Sequence, residues 1–149
     1  MTSAQRSANM RAIHSRDTKP EMMVRRLLFA AGFRYRLQRR DLPGTPDIVL
    51  SKYRTVIFVN GCFWHHHPGC TRAAIPQTRQ DYWLPKIARN IERDKENISE
   101  LKRQNWRVLV VWECACRKKN EEALKEKIFS FILSDRLEMQ IGKSIAPES

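Results

Sequence analysis

The sequence predicts a three-layer α/β fold around a small mixed sheet, on three observations. Apolar residues recur at helical spacing in three separate stretches. The runs Thr55–Val59 and Trp106–Trp112 are apolar almost throughout, as strands covered on both faces are. The elements follow in the order helix, three strands, helix, strand, helix, which puts helices on both sides of one sheet. At 149 residues the chain is long enough to bury a core of its own, and it shows no internal repeat.

Residues 1–17 carry no apolar period, and with Met10 and Ile13 as their hydrophobes they read as a flexible basic arm. Thr18-Lys19-Pro20-Glu21 marks a helix start: Thr18 is the N-cap, Pro20 sits in the first turn, and Glu21 closes a capping box. Met23, Val24, Leu27, Leu28 and Ala31 follow at helical spacing, and Gly32 is the stop. Phe33, Tyr35 and Leu37 alternate with Arg34, Arg36 and Gln38, a strand with one wet, basic face. Pro43-Gly44-Thr45-Pro46 is a turn, Asp47 opens the short strand Ile48–Leu50, and residues 51–54 lead into the buried strand Thr55–Val59. A long helix runs from about Asp81 to Gln104, and the largely β-branched Trp106–Trp112 strand follows. Asn120 caps a last amphipathic helix carrying Leu124, Ile128, Phe131 and Ile132, and from about Asp135 the patterning is weak. The expected organisation is an arm at 1–17, one folded domain at 18–134 and a C-terminal tail at 135–149.

Charge narrows the partners. The formal net charge is +12. Residues 1–40 hold ten Arg/Lys against Asp17 and Glu21, so +8 of it lies there. A basic arm leading into a basic first helix is the electrostatic footprint of a polyanion binder; the bland alternative is a merely soluble cationic surface. No apolar run reaches the roughly 20 residues of a membrane span, and the N-terminus lacks an apolar signal region. The expected location is the cytoplasm, where Cys62, Cys70, Cys114 and Cys116 read as metal ligands or buried thiols rather than disulfides. No heptad seam suggests anything but a monomer.

The long helix carries a carboxylate out of place. Its apolar stripe runs Leu84, Ile87, Ile91, Ile98, Leu101, and the position after Ile91 in that series holds Asp94. An inward carboxylate needs a partner or a role, because desolvating it alone costs several kcal/mol. Either the stripe tilts and Asp94 pairs with a neighbouring Arg or Lys, or it serves a site. Lys86 and Asn90 share its edge of the helix at spacings of four.

The densest chemistry lies in Asn60-Gly61-Cys62-Phe63-Trp64-His65-His66-His67-Pro68-Gly69-Cys70, with two thiols, three imidazoles and two large aromatics in eleven residues. Cys62, His67 and Cys70 are spaced for three ligands of one zinc ion, with Cys114 the natural fourth and Cys116 its rival. Thiolates beside an imidazole favour zinc over magnesium, and a Cys3His site is closed, hence structural. A loop pinned by zinc can present His65 as a general base. Phe63 and Trp64 can stack on bases or wedge between them; the alternative for either is core packing. Asp47, beside the strand that ends at Val59, can hold magnesium together with a backbone carbonyl, or can simply satisfy its own turn.

These segments together resemble one family. Asn9-Met10-Arg11-Ala12-Ile13, the Leu42-Pro43-Gly44-x-Pro46-Asp47 turn, Val56-Ile57-Phe58, Gly61-Cys62-Phe63-Trp64-His65-His66-His67, Asn90-Ile91-Glu92-Arg93-Asp94 and Trp106-Arg107-Val108-Leu109-x-Val111-Trp112-Glu113-Cys114 occur in order. Over roughly residues 5–133 the chain closely resembles the very short patch repair (Vsr) mismatch endonucleases. The Gly-Cys-Phe-Trp-His and Trp-Glu-Cys blocks are the most specific part of the match.

The resemblance implies a restriction-endonuclease-like fold and a magnesium-dependent nick on the 5′ side of the thymine in a T:G mismatch, the lesion left by deamination of 5-methylcytosine. By position it implies that Asp47 and the Val59 carbonyl bind magnesium, with Glu21 in the surrounding water network. It makes His65 the general base supported by Asp94, and Cys62, His67, Cys70 and Cys114 the zinc ligands. Met10, Phe63 and Trp64 would intercalate, with Lys86 and Asn90 near the mismatched bases. Three departures stand out. Asn60 occupies the place of a second active-site histidine in some relatives. Pro68-Gly69 makes the His67–Cys70 spacing one residue longer than in some. The carboxylate-x-lysine element common among such nucleases is replaced by Phe58, Val59 and Asn60. Two other readings compete: a restriction-like enzyme cutting matched DNA, and a zinc-bound module that marks mismatches without cutting.

Overall fold

The computed structural model describes residues 17–142. Met10 and the rest of the N-terminal arm up to residue 16 lie outside the described residues. Helix α1 spans Lys19–Ala30, and the Thr18 hydroxyl accepts the Glu21 N–H at 3.3 Å, as an N-cap does. The capping box does not close. Glu21 turns its carboxylate to the Asp17 N–H and into the protein, away from the Thr18 N–H. Gly32, in the left-handed conformation at φ +86°, ends the helix as expected.

A five-stranded sheet follows, in spatial order β1 (Arg36–Leu37), β2 (Ile48–Leu50), β3 (Thr55–Asn60), β4 (Arg107–Trp112), β5 (Glu138–Ile141). The β1–β2 and β2–β3 pairs are antiparallel, and the β3–β4 and β4–β5 pairs are parallel, so the sheet is mixed. Helix α2 (Gln80–Arg103) connects β3 to β4, and α3 (Glu121–Ile132) connects β4 to β5. Both parallel connections thus run through a helix, the usual form of the long crossover that parallel strands need.

The two faces of the sheet build separate cores. On one, Val24, Leu27 and Leu28 of α1 and Leu124, Ile128, Phe131 and Ile132 of α3 pack on Ile48, Leu50, Ile57, Leu109 and Val111. On the other, Leu101 of α2 meets Val49, Val56, Val108, Val110 and Trp112, together with Cys62 and Cys114. This is the three-layer α/β arrangement that the element order predicts.

Several expectations need correction. The strand expected over residues 33–38 keeps only two paired residues, both exposed. Phe33 and Tyr35 pack on the core from a loop, and Leu37 is turned outward. Leu84 heads the stripe of α2 but is exposed, and of that stripe only Ile87 and Leu101 are buried. Asn120 makes no side-chain cap, since a 3-10 turn over Lys118–Asn120 already leads the chain into α3. Residues 138–141 form β5, carrying the sheet past residue 134 into the segment read as a tail. Glu138-Met139-Gln140-Ile141 has neither the apolar run of the buried strands nor β-branched residues beyond Ile141, and pairing to β4 supplies what local sequence does not.

Candidate active site and metal centre

Parallel pairing places the site. Asn60 at the end of β3 lies opposite Trp112 at the end of β4, so the segments leaving both strands emerge side by side. Open α/β sheets build sites at this carboxyl edge for that reason. The loop after β3 carries Cys62 to Cys70, and the short 3-10 turn after β4 carries Cys114.

The ligand atoms of Cys62, His67, Cys70 and Cys114 all lie within 4.8 Å of one another. His67 Nδ1 sits 3.7 Å from Cys62 Sγ and 3.4 Å from Cys114 Sγ. A tetrahedral ion with bonds of about 2.0–2.3 Å holds its ligand atoms roughly 3.3–3.8 Å apart, so the donor set fits. Burial and the neighbouring thiols push the Cys62 thiol up, and burial pulls His67 down toward the neutral imidazole that can ligate. Cys116 stands outside this cluster, its thiol aimed at the Trp112 carbonyl and pushed up to about 12, chiefly by burial. Cys114, not its rival, completes the set. The spacing through Pro68-Gly69 is accommodated by Gly69 at φ +73°.

On the other side of the same loop, His65 Nδ1 is 2.6 Å from Asp94 Oδ2. An ionised carboxylate can only accept, so the contact places a proton on Nδ1 and turns Nε2 away from Asp94. The misplaced carboxylate of α2 therefore pairs with the loop histidine, not with a neighbouring Arg or Lys. One and two turns earlier on α2, Asn90 donates to the Trp64 carbonyl at 2.9 Å, and Lys86 bonds the Tyr82 hydroxyl at 3.1 Å.

A second acidic locus lies at the start of β2. Asp47 Oδ2 accepts the Val59 N–H at 2.7 Å, while Glu21, only 2% exposed, faces it from α1. Gln38 bridges them, donating to Glu21 Oε1 at 2.7 Å and to Asp47 Oδ1 at 3.3 Å. Arg25 pairs with Glu21 at 3.1 Å from the outer side. Desolvation, reinforced by the Glu21 charge, pushes the Asp47 carboxyl up to about 6, and His65 lies near enough to oppose that rise. Two oxygen-rich groups held together against their own repulsion form a donor set for a hard divalent cation. Val59 and His65 line a cavity of about 490 Å³ that also reaches Thr18, Phe63, Trp64 and Glu113.

Phe63 and Trp64 are half-buried, not core residues, and stack edge to face at 5.3 Å. Trp83 meets both, at 5.2 and 5.9 Å, and Tyr82 packs on Trp83 at 4.9 Å. The sequence reading gives no site role to Trp83, Gln38 or Glu113. Glu113 Oε1 accepts the Cys62 N–H at 2.9 Å and so joins the two most specific blocks. The place of Trp83 at the head of the helix bearing Asp94 is a signal that could have found it. Gln38 offered none, since its partners are remote in sequence.

A mixed sheet with helices on both faces, bearing a carboxylate pair and a histidine–aspartate dyad at one edge, fits the restriction-endonuclease-like class of nucleases, and similarity to known proteins points to the same class. The model of the family described as DNA mismatch endonuclease Vsr matches residues 1–72. The DNA mismatch endonuclease Vsr of Escherichia coli is 48% identical over 141 residues, covering 93% of this chain and 90% of that protein. A type II nicking enzyme of Neisseria meningitidis, V.NmeAIP, is 50% identical over 127 residues, 85% of this chain and 89% of its own. Another from Xanthomonas oryzae, V.XorIIP, is 51% identical over 105 residues, 70% and 76% of the two chains. The chain belongs to the Vsr family of DNA mismatch endonucleases.

Proposed function

We propose that this enzyme nicks duplex DNA on the 5′ side of the thymine in a T:G mismatch left by deaminated 5-methylcytosine, and so opens very short patch repair. The observation that carries the reading is the proximity of His65, paired with Asp94, to Asp47, which Glu21 faces; His65 and Val59, whose N–H Asp47 accepts, line one cavity. Neither group alone specifies phosphodiester cleavage. Together they offer a base and a cation site.

Asp94 fixes the His65 tautomer, so Nε2 can take the proton of a water attacking phosphorus in line, leaving a 5′-phosphate and a 3′-hydroxyl. Asp47 and the Val59 carbonyl would hold magnesium with Glu21 close by, and the ion when bound neutralises charge on the phosphodiester. No lysine is needed, which accords with Phe58, Val59 and Asn60 in place of the carboxylate-x-lysine element. Cys62, His67, Cys70 and Cys114 would hold zinc, tying the base-bearing loop to the end of β4. Phe63 and Trp64, with Met10 from the arm, wedge beside the mismatch. Asn90 orients the aromatic loop through the Trp64 carbonyl and keeps its own carbonyl for a base edge, and Lys86 stands one turn away. The enzyme acts as a monomer on DNA in the cytoplasm. No described helix is long and apolar enough to cross a membrane.

The test is a nicking assay with Mg²⁺ on end-labelled duplexes that differ only in a T:G or C:G pair within a cytosine-methylation site, across flanking contexts. A single cut 5′ of the mismatched T, absent from the C:G duplex and lost in Asp47→Ala, is expected. Equal cutting of both duplexes would make it a restriction-like enzyme instead. Tight mismatch binding with no cut in any context would make it a recognition module.

A further inference from the structure

The side chain between the two carboxylates has no part in the reading above. Gln38 reaches both Glu21 Oε1 and Asp47 Oδ1 through one amide nitrogen, at 2.7 and 3.3 Å. Its backbone is committed to the same place: the Gln38 N–H donates to the Asp47 carbonyl at 3.1 Å, and its φ is +51°. A side-chain-bearing residue in the left-handed region is uncommon and costs roughly 1–3 kcal/mol, so surrounding structure must hold it there. That strain aims a carboxamide at the cation site.

A carboxamide has two faces of opposite character, an N–H₂ that donates and a carbonyl that accepts. With no cation between the carboxylates, donation to both offsets their repulsion. A cation repels the N–H₂ and attracts the carbonyl, and rotation about the last side-chain torsion exchanges the two with little movement of the rest. We propose that Gln38 is an additional ligand residue of the magnesium site, spacing Glu21 and Asp47 in the ion's absence and presenting its carbonyl oxygen in the ion's presence. This rests on the assignment of that site to magnesium. It adds a second neutral oxygen donor beside the Val59 carbonyl, without adding to the negative charge that Asp47 and the nearby Glu21 supply.

Gln38→Asn keeps the amide and favours the left-handed backbone, but it is one methylene short of the carboxylates. Gln38→Glu keeps the reach and the oxygen donor. Two readouts are taken on the zinc-loaded protein: the rise in unfolding temperature on adding Ca²⁺ or Mg²⁺ without DNA, and the Mg²⁺ concentration giving half-maximal nicking of a T:G duplex. Gln38→Asn is expected to shrink the rise and to raise the half-maximal concentration about 10–100-fold, the usual effect of losing a partner at a metal site. Gln38→Glu is expected to retain tight cation binding and to lower the unfolding temperature only in cation-free buffer. A cation response in Gln38→Asn equal to wild type would overturn this inference alone. Absence of any Ca²⁺ or Mg²⁺ response in the wild-type protein would overturn the magnesium assignment and this inference with it.

Discussion

At the scale of single residues, two carboxylates do different work because their surroundings differ. Asp94 serves through geometry. Replacing it with Asn keeps the size but lets Nδ1 of His65 lose its proton to Nε2, so the nitrogen proposed as the base would carry the proton instead. Asp94→Asn is expected to slow single-turnover nicking by on the order of 10²–10⁴-fold with the thermal unfolding midpoint nearly unchanged. Asp47 serves through charge held at a cost. Its carboxyl rises from 3.8 to about 6, corresponding to on the order of 3 kcal/mol opposing ionisation in the folded protein. The folded state therefore binds this proton more tightly than the unfolded state. The stability it contributes is complete below pH 4 and is lost as pH rises through 6. Asp47→Asn, which cannot ionise, should abolish nicking and yet unfold at higher urea than wild type in magnesium-free buffer at pH 8. Urea titrations at pH 4 should bring the two proteins together.

At the scale of elements, β5 and the residue after it support the Cys/His cluster proposed to hold zinc, to which they contribute no ligand atom. The His67 ring stacks on Trp112 at 4.3 Å, Trp112 Nε1 donates to Gln140 Oε1 at 3.1 Å, and Gly142 lies against the far edge of the imidazole. A Cβ at residue 142 would stand 2.5 Å from His67 Cε1 and 2.8 Å from Nε2. Gly142→Ala should displace the ring and weaken zinc binding by roughly 10–100-fold, read by competition with a chromogenic chelator. Arg107 plays the matching part for α3. Its guanidinium lies over the Phe131 ring and donates to the Phe131 and Ile132 carbonyls at the end of that helix, to the Arg136 carbonyl and to Thr55 Oγ1. A lysine has one nitrogen and cannot serve all of these. Arg107→Lys should lower unfolding free energy by about 2–4 kcal/mol in chemical denaturation, through carbonyls left without a donor.

At the scale of the whole molecule, the charge of +12 and its concentration in residues 1–40 govern affinity more than discrimination. Phosphate contacts release counterions, so duplex affinity should fall by about 10³-fold or more between roughly 50 and 200 mM salt, for matched and mismatched DNA alike. Removing residues 1–16, which carry Arg6, Arg11 and Arg16, should flatten that slope by about 1–3. Fluorescence anisotropy on both duplexes measures it. A slope unchanged by the deletion would place the phosphate contacts elsewhere on the protein.

The sequence by itself determined the layers, the family and most of the residues that meet at the candidate site. Its helices announce themselves through a period of 3.6, its buried strands through runs apolar almost throughout, and the Cys62–Cys70 loop through a density of soft ligands. Asp94 was legible as an exception to its own helix stripe. Only the tertiary structure decided which groups meet. Parallel register between β3 and β4 brings Cys114 and not Cys116 to the loop. The turn of α1 sends Glu21 inward instead of back to Thr18, and a left-handed residue at the end of a two-residue strand carries Gln38 to it. The reason is physical: local pattern records which face a residue prefers, whereas the partner it finds there depends on the register and crossing of elements far away in the chain.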